Sequence, residues 1–229
     1  MKIKILNNTG DVEVLLYEEI GNGFFGDGIS AKRFAEELAN AGEVKAITLR
    51  INSPGGDVFD GLTIYNTLAK HSAPVHAVVE GLAGSIASVI LQAADTRSIA
   101  ANAFVMIHEP HAIAAGTAEE LRSLAGVLER TRDSILNSYV IKAGEDRRAE
   151  LSAAMNDETW YTAAEALRAG LVDLIDEELQ LAAFVSPEIA ARHKWKHTPA
   201  AILQKDRNSG ARLRVKLGQQ RQRLAALTN

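Results

Sequence analysis

Apolar and polar residues alternate through KIKIL and VEVLLYEEI, and both runs are rich in β-branched residues, which predicts two strands near the start of the chain. ISAKRFAEELANAG changes period: its apolar residues recur at helical spacing between a Ser30 cap and a closing Gly42. The same exchange then repeats. VKAITLRIN reads as a strand, and GGDVFDGLTIYNTLAKH opens a helix after a glycine turn. APVHAVVEG is the next strand and SIASVILQAA the next helix, followed by RSIAA and AFVMIHEP as further strands. From Thr117 to about Met155 the pattern is helical with one break near Gly144, and TAAEALRAGLVDLI reads as a short helix, a glycine stop and a last strand.

Strand and helix alternating at these intervals predict an α/β fold, a mostly parallel sheet with right-handed β-α-β crossovers and a helical subdomain. In such sheets chemistry collects where strands end and helices begin. Three polar clusters fall at such ends: INSPGGD, GLAGSIA and MIHEP.

Composition narrows the picture. The chain has 229 residues, 24% charged and 47% hydrophobic, which fits one ordinary globular domain with an appendage. It has no cysteine, which excludes disulfides, thiolate zinc sites and a Cys nucleophile. The start, MKIKILNNTGDVEV, lacks the apolar core of a signal peptide, and no run approaches the roughly 18 apolar residues of a membrane span. A soluble, cytoplasmic protein with no membrane partner is expected. The net charge of −4 is unevenly spread. Ser186–Asn229 holds ten Lys/Arg against Glu188 and Asp206, near +8, which leaves the remainder near −12. This predicts a domain over 1–183 and a basic tail over 184–229, partly helical or disordered. The tail suits a solvated role, docking on acidic protein surfaces, or nucleic acid through phosphate contacts. No aromatic residue follows Trp195, which argues against base stacking.

Ser85 stands at the first turn of an apolar helix, where a hydroxyl is either an N-cap or a nucleophile. The small residues Gly81, Ala83 and Gly84 before it let a substrate backbone approach. The run is not the G-x-S-x-G elbow, since Ala87 takes the place of the second glycine. A nucleophilic serine needs a base. His108, closing an apolar strand, is a structural residue or that base; His71, His76, His111, His193 and His197 look dispensable by position. NSPGG is either a strand-to-helix turn or a source of main-chain N–H groups for an oxyanion. The spacings of dinucleotide and Walker phosphate loops are absent, and no Lys follows the glycines.

INSPGGDVFDGLTIYNTL, GLAGSIASVI, MIHEP and TWYTAAEALRAGLVD, in this order, resemble the Clp protease proteolytic subunit (ClpP) family from about Glu18 to Asp176. FFGDGISAKRFAEEL and MNDETWYTAAEA resemble more closely its phage branch, the head maturation (prohead) proteases. The resemblance implies the ClpP/crotonase-like superfold and a serine-type endopeptidase. It matches Ser85 to the nucleophile, His108 to the general base, and Gly56 and Ile86 to the oxyanion N–H donors. The third member of the triad falls on Glu158, with Asp157 as its rival. A glutamate can fill this role, which is to orient the imidazole and stabilise imidazolium.

The resemblance further implies polypeptide substrates and a homo-oligomeric ring, such as a heptamer or stacked rings, with no cofactor and no metal. Phage scaffold or capsid precursors inside a procapsid in the bacterial host are the implied substrates. Two departures matter. HEPHAIAAGTAEE is shorter than the glycine-rich strand that follows MIHQP in the housekeeping enzymes and holds only Gly116, which puts ring stacking in doubt. The loops that engage an unfolding ATPase also look missing, which favours ATP-independent work. The alternatives are a housekeeping-type subunit working with an AAA+ unfoldase, a crotonase-type acyl-CoA enzyme, and an inactive assembly scaffold. With His108 as base, the rate is expected to rise as its imidazole loses a proton, between roughly pH 5 and 8.

Overall fold

The computed structural model describes residues 2–5, by backbone alone, and residues 10–22, 28–177, 186–200 and 202–203. Strands β1 (Lys2–Ile5) and β2 (Asp11–Leu16) pair antiparallel. β2 alternates half-buried and buried residues, as its sequence alternation requires. Helix α1 (Ala31–Asn40) starts where the Ser30 hydroxyl accepts the Arg33 N–H, and buries Ala31, Phe34 and Leu38. Strand β3 (Ala46–Ser53), helix α2 (Val58–Ala69), strand β4 (Val75–Gly84), helix α3 (Ile86–Leu91) and strand β5 (Thr96–Ala100) follow.

β2, β3, β4 and β5 lie side by side and parallel. Right-handed crossovers stepping in one direction put their helices on one face of the sheet. There α1 packs on α2 and α2 on α3. Strand β6 (Phe104–Ile107) also pairs parallel with β4, and the edge strand β8 (Leu174–Asp176) pairs with β5. Long helix α4 (Ala118–Ala143) carries a Thr117–Glu120 capping box, ends at Gly144, and leads through a short 3₁₀ turn to α5 (Arg148–Asn156). The α/β class and the mostly parallel sheet are those expected.

One strand escaped the sequence pattern. β7 (Thr159–Thr162) pairs antiparallel with β6, so TWYT is a short strand before helix α6 (Ala163–Arg168). Four residues with two half-buried ones show too little alternation to be read.

β4 positions the site. It pairs with β5 as far as Val79↔Ile99 and with β6 from Leu82↔Phe104 to Gly84↔Met106. It therefore changes neighbour at Glu80–Gly81 and runs three residues beyond the expected stop at Gly81. Glu80, buried at that switch, takes hydrogen bonds from the Arg50 guanidinium and the Tyr17 hydroxyl, the compensation a buried carboxylate needs.

In the basic stretch, Ser186 caps helix α7 (Pro187–Arg192), with Pro187 in its first turn. Ala190, Trp195 and Ile202 pack against Leu82 and Met106, forming a second apolar cluster beside the main core. Residues 204–229 lie outside the described residues, as does the reading of their leucine and arginine pattern. Among the described residues no helix is long and apolar enough to cross a membrane.

Helices α2 and α3 touch closely at Gly61, where an added Cβ would lie 2.1 Å from Ile86 Cγ1. Replacing a mid-helix glycine by alanine gains at most about 1 kcal/mol of helix propensity. Overpacking a tight contact costs about 1–3 kcal/mol. Gly61→Ala is therefore expected to destabilise the protein, measured by urea unfolding, and to shift α3 with the serine that precedes it.

Candidate active site

Ser85 sits at the junction of β4 and α3 with φ 52° and ψ −128°, a conformation that non-glycine residues rarely adopt. Holding it costs on the order of 1–3 kcal/mol, and several bonds fix it. Its N–H donates to Met106 O on β6 at 2.9 Å. Its carbonyl accepts the Ser88 N–H at 2.9 Å and the Ser88 hydroxyl at 2.5 Å. Since the Ser88 proton is committed there, the 2.7 Å contact with the buried Tyr139 hydroxyl has Tyr139 donating. The same burial pushes the Tyr139 phenol up, so it stays a neutral donor.

The Ser85 side chain makes no capping hydrogen bond. Its Oγ lies 2.7 Å from His108 Nε2 instead. The sheet explains the meeting: Gly84 is level with Met106 in the parallel β4/β6 pair, so the residues just beyond each strand end share one edge. Glu109 then anchors the chain after His108, through its N–H to Met155 O at 3.1 Å and its carboxylate to Arg132 at 2.6 Å.

The NSPGG loop closes over this corner. A Cβ on Gly55, at φ +93°, would lie 2.6 Å from Gly84 O and 2.7 Å from Ser85 Cβ. One on Gly56 would lie 2.1 Å from Ile20 O. Only glycine permits both approaches. Asn52 and Ser53 hold the loop, through Asn52 Oδ1 to the Leu82 N–H at 3.1 Å and Ser53 Oγ to Glu18 O at 2.6 Å. Among the described residues neither the Gly56 nor the Ile86 N–H donates a hydrogen bond. Both belong to the same corner as Ser85, and Gly56 lines an open cleft of about 490 Å³ together with Ser85 and His108.

Burial, reinforced by the nearby His111 and His193 and opposed by Glu158, pushes the His108 imidazole down to about 4. It is therefore neutral at pH 7. With Ser85 donating to Nε2, the ring proton resides on Nδ1. His111 and His193, which look dispensable by their positions along the chain, both line the cleft, because folding brings the loop after His108 and the segment after α7 to it, and the His111 ring centroid is 5.6 Å from that of His108.

Glu158 is buried, at 8% exposure and φ 50°, whereas Asp157 is exposed. Glu158 is near enough to His108 to favour its protonated form, yet its carboxylate is bound elsewhere. The Lys196 N–H reaches both oxygens at 2.8 Å, the His197 N–H reaches Oε1 at 2.8 Å, and Trp160 Nε1 reaches Oε1 at 3.3 Å. Among the described residues no hydrogen bond joins Glu158 to His108. The structure thus brings Ser85, His108, Gly56 and Ile86 to one corner and sets Glu158 beside it, facing the segment after α7. Ser186-Pro187-Glu188 is the local signal that marks α7, but nothing local announces that the segment reaches the site.

The family model described as Clp protease matches residues 13–178. An "ATP-dependent Clp protease proteolytic subunit 1" from Protochlamydia amoebophila (strain UWE25) is 36% identical over 143 residues, covering 61% of this chain and 68% of that protein. A protein of the same description from Chlamydia muridarum (strain MoPn / Nigg) is 35% identical over 162 residues, covering 66% of this chain and 83% of that protein.

Tyr139→Phe removes the donor to Ser88 without a cavity and leaves Ser88 its bond to Ser85 O. A loss of about 1 kcal/mol is expected in urea unfolding, as for one net hydrogen bond.

Proposed function

The chain belongs to the Clp protease family, and from that premise we propose that it is a serine endopeptidase acting on polypeptides through an acyl-enzyme on Ser85. The observation that carries this reading is the 2.7 Å contact between Ser85 Oγ and the neutral Nε2 of His108. Oγ attacks the scissile carbonyl while its proton passes to Nε2, and the unengaged N–H groups of Gly56 and Ile86 receive the developing oxyanion. The imidazolium then protonates the leaving amine, releasing the C-terminal fragment. Water, deprotonated by His108, attacks the ester, and its proton returns to Ser85 as the second fragment leaves.

The finer reading is an ATP-independent head maturation enzyme that cuts scaffold or capsid precursors and assembles as a homo-oligomeric ring. It rests on the likeness of FFGDGISAKRFAEEL and MNDETWYTAAEA to the phage branch. Residues 108–116 form no strand, which also favours it, since the resemblance implies a glycine-rich strand at this place in the housekeeping enzymes. A second reading, an ATP-dependent subunit, is favoured by the names of the two relatives. Degradation of a folded substrate only with an AAA+ ATPase and ATP selects the second; cleavage of an unfolded or scaffold polypeptide without either selects the first.

A fluorophosphonate probe is expected to label Ser85, identified by mass spectrometry of the labelled peptide, and Ser85→Ala to abolish labelling. His108→Ala is expected to slow labelling by about 10³-fold or more. An assembled protein that resists the probe overturns the peptidase reading and supports an inactive scaffold. Because His108 titrates near 4, the group is already deprotonated through pH 5 to 8. The labelling rate is expected to be flat there and to fall only as the pH drops towards 4, which replaces the rise expected from an ordinary histidine.

A further inference from the structure

The Glu158 carboxylate has the surroundings of a ligand-binding group, and its ligand is the chain itself. Two successive main-chain N–H groups, of Lys196 and His197, converge on it, and the His197 ring meets the carbonyl of Asp157 at 2.9 Å. Trp195 is inserted next to them, edge-on to Trp160 with ring centroids 5.0 Å apart and stacked with His193 at 5.3 Å. At the cleft, Arg192 and His193 reach Glu19 at 3.1 and 3.3 Å, and all three residues share the cleft with Ser85 and His108. Residues 186–200, with 202–203, are therefore tied to the site through an apolar anchor, an ion pair and a carboxylate.

We propose that this segment is a latch: its Lys196 and His197 amides hold Glu158 away from His108, and its release frees the carboxylate to accept the Nδ1–H of the histidine. The inference rests on the serine peptidase reading. A buried carboxylate must have partners, and the latch supplies them while it is closed. When it opens, the imidazole beside it gains from the pairing, because the carboxylate favours its charged form. Glu158 then acts as a positioning residue, fixing the tautomer and stabilising the imidazolium. Arg192 and His193 line the same cleft as Ser85 and His108, so a polypeptide bound there touches the latch itself.

Two variants of the full chain test this by different routes. Lys196→Pro, at an exposed position, deletes the N–H that reaches both Glu158 oxygens, and Trp195→Ala removes the apolar anchor. Loss of the acid lowers triad catalysis by about 10⁴. Opening a mostly closed latch is therefore expected to raise the fluorophosphonate labelling rate of Ser85 by about tenfold or more. The groups facing His108 are His111, His193 and Glu158, and pairing with Glu158 favours the charged ring. The midpoint of the pH–rate profile is therefore expected to move upward in both variants. Adding Glu158→Gln to Lys196→Pro is expected to cancel the gain in rate and most of the shift, which re-exposure of the ring to water by itself would leave in place. Hydrogen exchange at the 195–198 amides of Trp195→Ala reports release.

Labelling of Lys196→Pro at or below the wild-type rate, with an unmoved midpoint, overturns the latch and leaves the peptidase standing. Absence of Ser85 labelling in wild type and both variants overturns the peptidase reading, and the latch with it.

Discussion

The backbone of Ser85 is the constraint on which the site depends. At φ 52° the chain turns from β4 into α3 in a way that points the hydroxyl out of the capping position and towards β6. Left to itself, a serine before a helix adopts extended torsions and caps it, as Ser30 does for α1. The unfavourable conformation persists because neighbours leave it no room to relax. Met106 O takes its N–H, Ser88 takes its carbonyl, and the Gly55 backbone presses on Gly84 and on Cβ of Ser85. Strain of a few kcal/mol is thereby supported by a core that buries α3 completely.

The second consequence is electrostatic. β4 leaves β5 and takes up β6 two residues before its last turn into the site, and this switch sets the register that delivers His108 to Ser85. The imidazole arrives half-buried, with two other histidines nearby. Removing water from the ring disfavours its charged form more than a nearby carboxylate favours it, so the proton affinity falls. An acceptor that is always neutral at physiological pH is ready to take a proton. A weakly basic one also holds that proton poorly, so the partner of Nδ1 governs how well imidazolium is stabilised.

Glu158 is where these two strands of reasoning meet. Its position after α5 at a positive φ turns the carboxyl inward, and burial obliges it to find donors. Three N–H groups, two of them from the segment following α7, satisfy it. The packing of Trp195 and Ile202 on Leu82 and Met106 supplies the apolar burial that keeps those amides in place. The basic stretch is in this part a component of the site's wall.

Much was fixed locally. The 2.0 and 3.6 periods, the Ser30 cap, the helical start at Thr117 and the break near Gly144 marked the α/β class, the parallel order and the long helix, because each signal lies within a few residues of the element it specifies. The clusters around Ser85, His108 and Gly56 were legible as strand ends for the same reason. The brief β7, the antiparallel β1–β2 pair, the neighbour change within β4 and the depressed proton affinity of His108 were not. Each follows from which strands and side chains lie alongside one another, and from how much water they exclude. The partner of Glu158 is the clearest case. Its donors lie 38 and 39 residues further along the chain, and they are main-chain N–H groups that every residue but proline carries. No side-chain pattern can announce such a bond; only the packing of the folded chain selects it.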